Sequence, residues 1–432
     1  MTVQTANTPI ADERRFRFNR QVMIGVFFVI IGLMVLYLGV ETVSDAETVI
    51  TFGDDRVEEV IRATIPTQPY LLVAGVLFLL CSAAAIATSQ DEDRQQIGTY
   101  ALYFAGVLII PTILIAAAEG RSTSATTLIS ESLRLATPIA IGSIGGLWCE
   151  RSGVINIAIE GMMLVGACFG FVALFFLRQE YGATNWVFLV SVIAAVISGG
   201  VAALLHAWLS ITFKTDQVVS GTVINIMALG ITSFVRAEYL QSTEASTETL
   251  PSVAIPLLSE IPILGETLFN NKPIFYSMFI LLILTHILLF NSRWGLRTRA
   301  VGENPHAADT LGIKVNRIRW TNVFIGGLIA GLAGAWLTLE TTGRFNDNMT
   351  DGRGFIALAA LIFGKWTPFG AFSGALLFGF SEAMGTRLQL LEISVPSQFL
   401  QMVPYITTIV VLAGLIGRSI SPKALGQPYE KE

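Results

Sequence analysis

Apolar residues fall along this chain in long blocks, separated by short polar stretches. A bilayer core takes about 17–25 apolar residues as helix. Blocks of that size lie at 22–40, 69–88, 98–118, 129–148, 161–177, 186–211, 217–236, 273–291, 320–340, 368–387 and 398–416. A further block, 354–363, is apolar but too short to span, and predicts a half-helix. Backbone at membrane depth must satisfy its own polar groups, so each block is predicted helical. The expected fold is an all-α, polytopic integral membrane bundle of about 11 spanning helices plus one half-helix. Broken helices are expected near a translocation path.

Charge orients this pattern. With the amino terminus inside and the spans alternating, the inner segments carry most of the 27 Lys and Arg residues, as cytoplasmic loops do. Arg293, Arg297, Arg299, Lys314, Arg317 and Arg319 share the inner segment 292–319, whereas the outer segments 41–68 and 237–272 are acidic. The chain is therefore predicted to lie in a cell (plasma) membrane with both termini cytoplasmic. Arg14, Arg15, Arg17 and Arg20 precede the first block. That block exceeds a signal-peptide core of about 7–15 residues, so it reads as an uncleaved anchor.

Composition sharpens the class. Of 432 residues, 53% are hydrophobic and 14% charged, against roughly 25% charged in soluble domains. Mean hydropathy is +0.64. A net charge of −5 offers no basic field for nucleic acid. The three cysteines and three histidines are scattered and form no metal motif. There is no GxSxG, HExxH or CxxC, and no Walker A loop, since Gly364-Lys365 runs into Trp366. The chain reads as a transporter or channel subunit with no ATPase site and no bound cofactor, not as an enzyme.

Two regions differ in texture. Residues 1–126 hold three simple spans joined by hydrophilic linkers, an amino-terminal extension. Residues 127–421 are rich in Gly, with small residues four apart at Gly142/Gly146, Gly166/Gly170, Gly327/Gly331 and Gly370/Gly374. Such spacing lets helices approach closely. Residues 422–432 read as a cytoplasmic tail. The stretches VINIAIEG (154–161) and VINIMALG (223–230) echo one another.

Two interruptions carry the candidate chemistry. ERSGVINIAIEG (150–161) puts Glu150, Arg151, Asn156 and Glu160 near or within the membrane, where ionisable groups are candidate functional sites. Glu160 alternatively caps the following helix. RFNDNMTDGRGFIALAALIFGKWTPFGA (344–371) leads polar Asn346, Asp347, Asn348 and Asp351 through Gly352-Arg353-Gly354 into the half-helix. Paired broken helices mark the substrate route of many transporters. Candidate path residues are Asn156, Glu160, Asn225, Asn348, Arg353, Phe355 and Trp366, the aromatics as stacking surfaces. Asn225 alternatively acts as glue between helices. Trp148, Trp186, Trp294 and Trp320 read as interfacial residues. In 292–319, Asn304-Pro305 is predicted to start a short helix that Gly312 ends, suited to docking a soluble partner.

Four blocks together resemble a known family: GLWCERSGVINIAIEGMMLVGA (146–167), TDQVVSGTVINIMALGIT (215–232), WGLRTRAVGENPHAADTLGI (294–313) and GRGFIALAALIFGKWTPFGA (352–371). The chain resembles the membrane subunit of ABC importers of the branched-chain amino acid, ribose and nucleoside permease superfamily. It looks most like the nucleoside-type simple-sugar permeases, over residues of about 127 to 417. Ala158 stands where glycine is common in the family, and Cys149 where serine is common.

The resemblance implies two ATPase subunits carrying ATP and magnesium, a second, different permease and an extracytoplasmic substrate-binding lipoprotein. It also implies an ATPase-coupling segment containing Arg299, Gly302, Glu303, Asn304, Pro305, Ala308 and Asp309. The expected function is ATP-driven nucleoside import by alternating access. Import of simple sugars or branched-chain amino acids is the alternative, and an ion-coupled secondary transporter the alternative from another class.

Overall fold

The computed structural model describes residues 19–53, 61–91, 93–240, 248–391, 402 and 419–431. The described chain divides into two compact units. One holds the amino-terminal residues to Thr51 together with Ile61–Thr123; the other holds Phe52–Val60 and everything from Ser124 onward.

The first unit is built on three helices, α1 (Arg20–Glu41), α2 (Thr67–Thr88) and α3 (Gln95–Ala117). Phe28, Val35, Leu71, Ala74, Phe78 and Ala105 form its core, with the rings of Phe28 and Phe78 stacked at 5.9 Å. The remaining faces stay apolar and exposed, as lipid-facing helices require. The linkers are not featureless: β1 (Glu47–Phe52), β2 (Ile61–Pro66) and β3 (Ser122–Ser124) pair in the order β2–β1–β3.

The second unit contains α4 (Ala125–Arg151), α5 (Ile159–Tyr181), α6 (Asn185–Ala207), α7 (Gln217–Tyr239), α8 (Pro273–Phe290), α9 (Arg293–Glu303), α10 (Pro305–Thr310), α11 (Val315–Ala335), α12 (Arg353–Phe363) and α13 (Pro368–Leu390). α6 and α11 each widen into a π-helical turn, Trp208–Thr212 and Trp336–Thr342. Eight described helices are long and apolar enough to cross a membrane: α1, α2, α3, α5, α6, α7, α8 and α11. The expected spans 129–148 and 368–387 are long helices too, α4 and α13. Both are less apolar, and α4 is buried without a break from Ala136 to Glu150. A helix enclosed by protein has no lipid to match. The eleventh expected span, 398–416, lies outside the described residues apart from Met402.

Glycine sets the helix spacing. A Cβ at Gly166 of α5 would lie 2.6 Å from the carbonyl oxygen of Gly331 in α11, and one at Gly199 of α6 would lie 2.5 Å from that of Gly327. Backbones meet here with no side chain between, which raises dispersion contact where lipid supplies no hydrophobic drive. Trp148, expected at the interface, is instead buried and donates from Nε1 to Thr285 Oγ1 at 3.1 Å.

Candidate functional site

Helix α4 ends at Arg151, and α5 begins only at Ile159. Gly153 makes the break possible, because its φ of +89° is costly for any residue with a Cβ. A Cβ there would also press within 3.0 Å of Arg319 Nη2. The freed backbone groups are satisfied from neighbouring helices. Ile155 N–H donates to Gln217 Oε1 at 2.7 Å, and Ile155 C=O pairs with His206 Nε2 at 2.9 Å. Ile157 C=O accepts from Asn225 Nδ2 at 3.0 Å, and Gly161 N–H donates to Asn225 Oδ1 at 2.8 Å. Buried backbone demands such pairing. Asn225 therefore acts as glue with both ends of its amide committed. His206 and Gln217 were missed in the sequence, where nothing marks them as partners of a loop 50 residues or more away.

The half-helix forms as expected, as α12 over Arg353–Phe363. Its amino end meets the start of α5. Glu160 Oε1 accepts from Gly352 N–H at 2.9 Å, and Oε2 from Gly354 N–H at 2.6 Å. The carboxylate thus caps α12 instead of its own helix, and opposes the positive end of the α12 dipole. Gly354 permits this approach, since a Cβ there would lie 2.5 Å from Glu160 Cα.

A cavity of about 280 Å³ opens where α5, α7 and the amino end of α12 converge. It is lined by Glu160, Gly161, Leu164, Thr222, Asn225, Ile226, Leu229, Asn348, Gly352 and Phe355. Four predicted path residues meet there: Glu160, Asn225, Asn348 and Phe355. Asn348 is exposed, in a left-handed conformation (φ +53°), and the Phe355 ring is 48% exposed.

The other three predicted path residues lie elsewhere. Asn156 is fully buried and donates to Cys149 Sγ at 3.2 Å and Met162 Sδ at 3.6 Å. Arg353 pairs with Glu382 of α13 at 2.5 Å. Trp366 is buried, donating from Nε1 to Glu150 Oε2 at 2.5 Å, while its carbonyl accepts from Arg151 Nε at 2.8 Å. Arg353 and Trp366 hold helices together, and Asn156 fills the core. Sequence spacing placed them near the break, but the fold turns them inward.

On the expected coupling segment, α10 begins where predicted. Asn304 Oδ1 accepts from Ala307 N–H at 3.0 Å, and Pro305 takes the first turn. The eleven residues before it, expected as loop, form α9. Gly302, Pro305 and Ala308, expected to face the ATPase, are buried. A Cβ at Gly302 would lie 2.3 Å from Arg151 O. Arg299 lies with its guanidinium 5.0 Å from the Phe290 ring centre, tying α9 to α8. Glu303 and Asn304 are exposed, Asp309 is half-buried, and Leu311, which the sequence reading passed over, is 81% exposed. Among the described residues no group of three or more His, Cys, Asp or Glu side chains could hold a metal ion.

Close-packed apolar helices, two of them broken and meeting at a cavity, define a multi-pass membrane permease. The chain belongs to the family described as branched-chain amino acid transport system / permease component, which matches residues 128–412. It is 41% identical over 315 residues to the guanosine ABC transporter permease protein NupQ of Bacillus subtilis, covering 70% of this chain and 96% of that protein. It is 38% identical over 311 residues to the nucleoside ABC transporter permease protein NupC of Lactococcus lactis, again 70% and 96%. With the putative glucose ABC transporter permease protein TsgC13 of Haloferax volcanii it shares 32% over 332 residues, 71% of this chain and 98% of that protein. No solved structure matches the chain. This is the membrane permease subunit of an ABC importer.

Proposed function

We propose that this permease imports nucleosides by alternating access, powered by separate ATPase subunits that carry the ATP and magnesium. A second, different permease completes the membrane unit, and an extracytoplasmic binding lipoprotein delivers the substrate. Both termini are cytoplasmic in this reading, and the chain itself has no ATPase site.

The observation that carries the substrate class is the charge state of the cavity. Its one lining carboxylate, Glu160, has each oxygen engaged by a backbone N–H of the α12 amino end. That helix end is consequently not free to receive the carboxylate of an amino acid. What remains is Thr222, Asn348 and the face of Phe355. A neutral solute with hydroxyls and a flat ring suits this lining, by hydrogen bonding and stacking. The names of NupQ and NupC point the same way. A simple sugar fits the polar groups but leaves Phe355 without a flat aromatic partner.

The test is co-purification and uptake with wild type and two variants. Leu311→Asp alters the exposed tip beside α10, and Phe355→Ala the cavity wall. Wild type is expected to carry an ATPase and a second permease and to take up labelled guanosine in an ATP-dependent manner. Leu311→Asp is expected to lose the ATPase, and uptake by about tenfold, the effect of a lost 1.4 kcal/mol contact. Phe355→Ala keeps the ATPase but loses guanosine uptake. ATPase-free wild type, with uptake that follows an ion gradient, would replace this reading by a secondary transporter. Uptake of glucose but not guanosine would replace the substrate.

A further inference from the structure

We propose that residues 419–431 are a strap tying the ATPase-facing helices α9 and α10 to the broken helix α4–α5, with Tyr429 as its positioning residue. The proposal rests on the import reading above. A polar segment with no helix or strand of its own is ordinarily loose unless something ties it down. This one is tied at every few residues. Ser419 Oγ donates to Ile362 O at the end of α12, at 3.1 Å. Ala424 N–H donates to Gly302 O of α9 at 2.9 Å, and two residues on, Gly426 N–H donates to Gly153 O in the break at 3.1 Å. One short stretch of strap therefore bridges the coupling helix and the break directly. Gly426, with φ +77°, also lies against Ile155, where a Cβ would come within 2.7 Å of the Ile155 side chain.

Two anchors hold the strap in place. The Tyr429 ring is buried in a cluster with Val301, Ala308, Val315 and Ile318, and sits 5.3 Å from the ring of His306. Arg319, 1% exposed, donates from Nη1 to Gln427 O at 2.8 Å, while its Nε and Nη2 have no hydrogen-bond partner among the described residues. A buried cation with so few partners gives up much if the strap leaves. Movement of α10 is thus passed through Tyr429 and Gly426 to Gly153, and on to the segment that Asn225 holds beside the cavity. The family match ends at residue 412, before the strap begins.

The experiment uses the whole importer in proteoliposomes, with labelled guanosine uptake and ATP hydrolysis measured together. Hydrogen exchange of residues 150–160 is followed in the same preparations. Tyr429→Ala is expected to cut guanosine moved per ATP by about fivefold or more, the lower end of ordinary coupling free energies. The ATPase should co-purify at the wild-type ratio, and exchange across the break should accelerate. Tyr429→Phe, which keeps the ring, is expected to restore both. Normal transport per ATP and unchanged exchange in Tyr429→Ala would overturn the proposal. So would equal losses of uptake, hydrolysis and bound ATPase, which mark a docking defect alone. Failure of wild type to import with ATP would sink the import reading instead. Exchange across the break would then still report whether the strap holds it.

Discussion

The tetrapeptide Val-Ile-Asn-Ile occurs twice, at 154–157 and 223–226, and the two copies take different structures. The first is non-helical, between α4 and α5; the second is the middle of α7. Local propensity is the same in both, so neighbours decide. Gly153 lets the chain leave α4, and His206, Gln217 and Asn225 pair with the freed backbone groups. In the second copy, Asp216 caps α7 by accepting from Val218 and Val219 N–H, and the ladder runs on. The two copies then meet: Asn225 of the second bonds Ile157 and Gly161 beside the first. Four residues beyond each asparagine, Glu160 and Leu229 both line the cavity. Asn156, by contrast, faces sulfur atoms in the core and leaves Oδ1 without a partner among the described residues. Identical residues thus serve as glue in one copy and as filling in the other.

Four substitutions and one control test this contrast. The largest effect is expected from Gly161→Val, whose Cβ would lie 2.9 Å from Asn225 Oδ1 and 3.0 Å from Asn225 Cα. It drives the copies apart, at about 3 kcal/mol, read as a fall in melting temperature in detergent and loss of uptake. Gly230→Val, at the matching glycine of the second copy, meets open space and serves as the control. Asn225→Leu strands the Ile157 carbonyl and the Gly161 N–H and is expected to cost about 2 kcal/mol. Hydrogen exchange confined to 157–161 would show it.

Glu160→Gln turns one acceptor into a donor facing an N–H of Gly352 or Gly354. A cost of about 1–2 kcal/mol is expected, with weakened uptake while the ATPase stays bound. The smallest effect belongs to Asn156→Leu, below about 1 kcal/mol, because sulfur is a weak acceptor and the lost amide left one atom unpaired already. A greater loss from Asn156→Leu than from Asn225→Leu would reverse the assignment of glue and filling.

Exposed charges lie outside this contrast. Lys214 holds the Glu430 carboxyl below its ordinary range through their 2.6 Å contact. A depressed carboxyl favours the docked strap above its unfolded pKa, and that help is lost as pH falls through the folded value. The pair lies at the surface, with the Glu430 side chain 73% exposed, so Glu430→Gln is expected to change melting little at neutral pH.

Much of the architecture was legible along the chain. Apolar block length fixed where helices run, because only a helix or a closed barrel satisfies backbone in lipid. Glycines on both sides of 354–363 marked the half-helix, and Asn304-Pro305 marked the start of α10, since caps are local chemistry. The break after Arg151 was visible as a polar interruption. The cavity was legible only in part: Glu160, Asn225, Asn348 and Phe355 line it, while Asn156, Arg353 and Trp366 turned out to pack between helices.

What only the tertiary structure decided is which polar groups are spent and which stay free. Glu160 caps a helix almost 200 residues away in sequence, so its charge is used before any substrate arrives. Gly302 packs against the Arg151 backbone, and residues 419–431 close onto α9 and α10. Periodicity records what one element needs from its surroundings. A hydrogen bond between elements depends on the distance between two backbones, which packing sets and no single stretch of sequence contains.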